Sequence, residues 1–239
     1  MLFIKLIRNI LNFFDNFQQN KIIHFFKNYF HDEIMLFDVG SHYGETVKLF
    51  SKNFKIKKIH CFEASPYNFE KLFQIIKKNN LQKICELNNI GVGSDNNPTF
   101  INQTMESSSS TINSFNSQSK YLKKKLKILN IKKFDNFYKK IPIKMTSLDT
   151  YISDRKIQCI HILKIDTEGF EYNILKGLNY NFNLVKFIYF EHHYDDMIKK
   201  NYKFSDINKL LKNYGFIKKY KSKMIFRKSF EYIYMNKFI

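Results

Sequence analysis

The sequence predicts an α/β protein built on a mainly parallel, doubly wound sheet with helices on both faces. Three observations carry this expectation. From residue 34 onward, short apolar runs alternate with amphipathic segments in the order β-α-β-α-β. The first run, Ile34 to Val39, ends in a glycine turn that leads into a helical pattern. A later run, Cys159 to Ile165, is apolar almost throughout, as a central strand buried on both faces should be.

Taken in order, residues 1–30 read as an amphipathic helical extension, separate from a domain spanning 31–239. Phe3, Leu6, Ile7, Ile10, Leu11, Phe14 and Phe17 recur at helical spacing, with Lys5, Arg8, Asn9 and Asn12 opposite. Such a stripe packs on the domain or covers its ligand cleft; the alternative is peripheral contact with a membrane surface. After the first strand, Thr46 to Lys52 continues as helix and Lys58 to Phe62 as the second strand. Ser65 supplies an N-cap and Pro66 a first-turn proline for a helix reaching about Lys78. Ile84 to Ile90 follows as the third strand. Residues 94–140 break the alternation with Ser, Asn, Thr and Lys, and read as a polar insertion, either a mobile surface loop or a lid over the sheet edge. Ser147 caps a short helix to Ile152. After Cys159 to Ile165, a helix over Tyr172 to Lys176 stops at Gly177 as a C′ residue. Val185 to Phe190, a helix capped by Ser205 and ending at Gly215, and strands at Phe216 to Tyr220 and Glu231 to Met235 complete about seven strands.

The bulk composition narrows the function classes. With 44% hydrophobic and 17% aromatic residues the chain is not a disordered one. Its formal net charge of +19 invites a nucleic-acid or anionic-membrane partner. Lys, Asn, Ile, Phe and Tyr are abundant together, however, and these types share AT-rich codons. No nucleic-acid motif accompanies the scattered lysines, so nucleic acid is not the expected partner. Cys61, Cys85 and Cys159 lack metal-type spacing and read as reduced, buried thiols of a cytoplasmic protein. No run approaches a membrane span, and the N-terminus lacks a signal-peptide cleavage site.

Chemistry-bearing residues concentrate in three places. In Phe37-Asp38-Val39-Gly40-Ser41-His42-Tyr43-Gly44 the glycines permit a sharp turn close to a ligand, and Glu63 closes the next strand where it can accept two hydrogen bonds from a ribose diol. Asp38 stands where a dinucleotide fingerprint has its first glycine. A carboxylate there repels pyrophosphate but suits the ammonium of a methionine moiety, which points to S-adenosyl-L-methionine over NAD. In Lys164-Ile165-Asp166-Thr167-Glu168-Gly169-Phe170-Glu171 three carboxylates fall within six residues, after the presumed central strand. Ligands of open α/β sheets bind at such strand ends, and crowded carboxylates raise one another's pKa, which suits a general base. Glu171 also fits a plain helix-start charge. In Phe190-Glu191-His192-His193, one histidine is a candidate base or substrate contact. The adjacent rings cannot share one face of a strand, and no metal is assigned.

These residues resemble the FkbM family of methyltransferases. The match comprises FDVGSHYG (37–44), FEAS (62–65), GVGS (91–94), SLD (147–149) and KIDTEGFEYNILKG (164–177), over about residues 34–238. Ser41-His42 replaces the family's usual Ala-Asn, and Ala64 its usual Pro. The resemblance implies a Rossmann-like class I methyltransferase with a seven-stranded sheet whose last strand is antiparallel. It also implies methyl transfer from S-adenosyl-L-methionine, usually to a hydroxyl of a sugar or a small natural product. On that reading Asp38, Gly40, Ser41, His42 and Gly44 surround the methionine portion, Glu63 holds the ribose, and Gly91-Val92 lies near the adenine. Asp166, with Glu168 or His192, orients the acceptor hydroxyl and takes its proton. The expected partner is a small-molecule or saccharide acceptor.

Overall fold

The computed structural model describes residues 18–224 and 228–238. Residues 18–27 form helix α1, and the apolar stripe at Phe3 to Phe17 lies outside the described residues. The domain then runs β1 (Ile34–Val39), α2 (Glu45–Asn53), β2 (Ile56–Phe62), α3 (Pro66–Lys78), β3 (Cys85–Asn88), β4 (Gly91–Gly93) and β5 (Thr99–Thr104). It continues through α4 (Lys120–Ile128), β6 (Tyr138–Ile143), β7 (Met145–Ser147), α5 (Leu148–Asp154), β8 (Ile160–Ile165) and α6 (Glu171–Lys176). β9 (Val185–His193), α7 (Phe204–Asn213), β10 (Phe216–Lys223) and β11 (Ser229–Asn236) end the chain.

Seven of these strands form one sheet in the order β10-β11-β9-β8-β1-β2-β3. β11 runs antiparallel to both neighbours, and the pairs from β9 to β3 are parallel. The order reverses between β1 and β8, the switch point at which ligands of open α/β sheets bind. β1 and β8 carry apolar residues on both faces because helices cover both, and their side chains split between two cores. Phe37, Leu163, Ile165 and Phe190 pack against α5, α6 and α7 on one face. Leu36, Ile162 and Phe187 pack on the other against α1, α2 and α3, where Ile22, Ile23 and Phe26 of α1 enter the core.

The structure corrects several expectations from the sequence. The segment 94–140 is neither a plain loop nor wholly polar. β5 and β6 pair as an antiparallel ribbon and α4 packs Leu122 against Phe115 and Phe137, while on either side of the segment β4 pairs with β7 in a small parallel ladder. α7 begins one residue before Ser205: the Asp206 carboxylate accepts from the Lys203 backbone N–H at 2.7 Å, so the cap is Asp206 reaching back. Gly177 does not end α6 in the left-handed region; its φ is −74°. A Cβ there would meet the Gly93 carbonyl oxygen at 1.9 Å, so close approach to β4 is what demands glycine. All three cysteines are free thiols, and Cys159 is only partly buried. Among the described residues, no helix is long and apolar enough to cross a membrane.

Candidate active site

The turn after β1 is held from three sides. Gly40 N and Ser41 N both donate to the Phe62 carbonyl, at 2.9 and 3.0 Å, which ties the turn to the end of β2. Ser41 Oγ donates to the Asp38 carbonyl at 2.7 Å, and Gly44 N to the Ser41 carbonyl at 2.7 Å. Gly40 adopts φ +84°, and a Cβ there would sit 2.0 Å from the Asp166 carbonyl oxygen. Asp166 N in turn donates to the Val39 carbonyl at 2.9 Å. Only glycine lets the ends of β1 and β8 approach this closely.

Glu63, almost fully buried, accepts from His42 N at 2.8 Å on one oxygen and from Ser65 N at 2.9 Å on the other. Burial pushes its carboxyl up to about 7 against these backbone donors. Asn68 Nδ2 also donates to Oε1, at 3.5 Å, so Oε2 is the oxygen that keeps a further lone pair for a ligand. A cleft of about 70 Å³ opens beside it, walled by Gly40, His42, Gly91, Val92 and Phe170. Ser107, from the 94–140 segment, closes over this cleft: its Oγ lies 2.8 Å from His42 Nε2 and accepts from Tyr43 OH at 3.0 Å.

A second cavity of about 520 Å³ adjoins the first, and Gly40, His42, Asp166 and Glu168 border both. Ser41 also lines it, whereas Asp38 and Gly44 line neither cavity. Asp38 is fully buried, and its carboxylate faces Lys164 Nζ at 3.6 Å; Nζ also bonds Asp166 Oδ2 at 3.2 Å. Burial works to depress the Lys164 pKa, but Asp166 and Asp38 outweigh it and raise it. Asp38 thus pairs with Lys164, which in turn bonds Asp166, and does not line the cavity.

β9 explains the histidine pair. Tyr189, Glu191 and His193 alternate along one face and line the large cavity. His192 points to the opposite face among Tyr194, Tyr202 and Phe204, with ring centroids 4.8, 5.8 and 5.6 Å away. Burial there, with the charges of Lys200 and His193, pulls it down to about 3. His192 is thus remote from the site, and strand alternation puts His193 in its place. His193 Nε2 lies 3.4 Å from Glu168 and 3.6 Å from Glu191, with Nδ1 3.7 Å from Asp195. Burial opposes its protonation, but Glu168, Asp195 and Glu191 raise it to about 10. Glu168, at φ +53°, is raised to about 7 by burial, with His193 acting against the rise. Glu171 fastens the loop: its carboxylate accepts from Gly169 N at 2.8 Å and from Tyr202 OH.

Tyr189 and Glu231 line the cavity without having been marked in the sequence, and Lys164, Glu191 and His193 line it although the sequence assigned them no role of their own within their segments. For His193 and Glu191 the signal was available, because period-two alternation from Tyr189 places all three on one face. Among the described residues, no group of three or more His, Cys, Asp or Glu side chains is arranged to hold a metal ion.

A seven-stranded sheet with one antiparallel strand and a ligand turn at its switch point defines the class I methyltransferase fold. Residues 38–218 match the Methyltransferase FkbM domain, so the chain belongs to the FkbM methyltransferase family, whose methyl donor is S-adenosylmethionine. Among solved structures, a Methyltransferase FkbM from Methylobacillus flagellatus is similar at TM-score 0.50 and 14% identity, over 85% of this chain and 44% of that one. The chain thus spans less than half the length of that relative. A putative rRNA-methylase from Clostridium thermocellum is similar at TM-score 0.52 and 9% identity, over 90% and 93% of the two chains. An rRNA methylase from Streptococcus thermophilus gives TM-score 0.50 at 11% identity, over 90% and 94%. At these identities the likeness is one of fold. No curated protein matches the sequence.

The residues present fit the donor. Glu63 Oε2 offers a free lone pair to a diol, and the carboxylates of the adjoining cavity complement a sulfonium and an ammonium.

Proposed function

We propose that the protein transfers a methyl group from S-adenosylmethionine to a hydroxyl oxygen of a polyhydroxylated acceptor, of which a saccharide is the best-fitting class. The observation that carries this reading is the charge of the large cavity. In a protein of net charge +19, its walls present Glu45, Asp166, Glu168, Glu191, Asp195 and Glu231, against the cations Lys125, Lys164 and His193. Carboxylates accept hydrogen bonds from hydroxyls and repel phosphates, so the lining favours a neutral polyol over a nucleic-acid strand.

Glu63 would hold the ribose, the backbone at Gly40, Ser41 and His42 the methionine portion, and Gly91-Val92 the adenine side. Bound there, S-adenosylmethionine supplies a methyl carbon on a sulfonium, already a good leaving group. Asp166 borders both cavities, at the place where donor and acceptor would meet. Oriented by Lys164, it would take the proton of the acceptor hydroxyl, whose oxygen would receive the methyl group that the bound donor supplies. Glu168, paired with His193, lies beside it to hold the acceptor. Most of the rate would come from positioning.

Replacing Asp166 by Asn should lower kcat at least about 100-fold while leaving S-adenosylmethionine affinity within a few-fold. Glu63→Ala should weaken that affinity in calorimetry, with fold integrity read from thermal melting. Full turnover by the Asp166→Asn protein would remove Asp166 from the role of base.

A further inference from the structure

β11 carries a feature that neither the fold nor methyl-donor binding requires. Glu231 lies directly opposite Glu191 in the β9–β11 register, so two carboxyl groups face each other on adjacent strands. Such a pair costs stability, and most of the cost is avoidable by an apolar residue. The next residue on the same face of β11, Ile233, is fully buried in the core. Glu231 itself is 6% exposed. Tyr189 OH donates to its Oε1 and fixes the carboxyl, while Oε2 has no hydrogen-bond partner and the side chain lines the large cavity. Glu231 also falls outside residues 38–218, the part of the chain that matches the family.

We propose that Glu231, clamped by Tyr189, is a specificity-determining contact that reads a second hydroxyl of the acceptor while Asp166 engages the one to be methylated. This rests on the polyol reading given above and deepens it. Both carboxylates line the same cavity, so an acceptor that fills it meets each with a different part. Burial, with Glu191 and Asp166 adding to it and Tyr189 opposing, lifts the Glu231 carboxyl to about 7. Near neutral pH it therefore both accepts and donates, as an alcohol does. An unpartnered buried oxygen is costly until a ligand satisfies it, and a deoxy acceptor would leave it unsatisfied.

The test is a panel of methyl hexosides and their monodeoxy derivatives, assayed with the unsubstituted protein and with the double variant Glu231→Leu/Tyr189→Phe. The variant replaces both partners by apolar groups of similar size, so it should melt at the same temperature or higher and bind S-adenosylhomocysteine unchanged. The unsubstituted protein should prefer one parent hexoside over one of its deoxy forms by about 10- to 100-fold in kcat/KM, and the variant should lose that preference. Retention of the preference by the variant, or a lower melting temperature with discrimination intact, would overturn the role of Glu231 and leave the polyol reading standing. If the unsubstituted protein binds S-adenosylhomocysteine yet methylates no hexoside, the saccharide reading itself is overturned.

Discussion

His193 is held by three carboxylates from two segments of chain, Glu168 in the loop after β8 and Glu191 and Asp195 along and just beyond β9. Its ordinary pKa of 6.5 rises to about 10 in the folded protein, because these acids outweigh the cost of burial. A group whose folded pKa is raised contributes stability that is complete below its unfolded pKa and is lost as pH rises through the folded one. The window here runs from about 6.5 to about 10. Melting temperature should therefore fall across that window, and His193→Gln should start lower at pH 6 and fall less steeply. Parallel slopes for the two proteins in differential scanning calorimetry would show that His193 is not the group responsible. Glu63, Glu168 and Glu231 behave alike in sign but earlier: each is raised to about 7 by burial, so each loses its contribution between about 4.5 and about 7.

At the scale of elements, α1 decides how one face of the sheet is closed. Phe26 is fully buried, with ring centroids 5.9 Å from Phe50, 5.5 Å from Phe187 and 6.2 Å from Tyr189. Near the start of the described helix, Gln18 donates to the Lys223 carbonyl at 3.1 Å and accepts from Ser222 at 2.7 Å, and it lines the large cavity. The helix thus connects the core beside Tyr189 to the cavity wall. Phe26→Ala should cost about 3–5 kcal/mol in urea unfolding, since it empties a site that cannot easily collapse. A loss under about 1 kcal/mol would mean that α1 is only loosely docked. A helix that lay on a membrane surface through this residue would not show such a loss in solution.

For the whole molecule, the proposed function has the positive charge and the acidic cavity act on different partners. Net charge sets long-range attraction, whereas the cavity decides what enters. The chain should bind tRNA or rRNA fragments weakly at low salt and lose that binding between about 50 and about 200 mM salt, without transferring methyl groups to them. Saturable RNA methylation at physiological salt would overturn the polyol reading in favour of the activity named for the fold neighbours.

The sequence by itself determined the sheet and the family: the apolar runs, the Gly40 turn and the KIDTEGFE segment each express a local rule of backbone or burial. β1, β8 and β9 were legible because strands covered on both faces must be apolar. Tertiary structure alone decided which of the marked residues reach the cavity. Asp38 lies beneath the turn with its carboxylate 3.6 Å from Lys164 Nζ of the neighbouring strand, a pairing that only the β1–β8 register reveals. Structure within 94–140 escaped detection because its ribbon is stabilised by pairing between β5 and β6, far apart in sequence, rather than by a local period. Glu231 was invisible for the same reason. Its meaning comes from standing opposite Glu191 and beside Tyr189, a register set by long-range strand pairing that no neighbouring residue encodes.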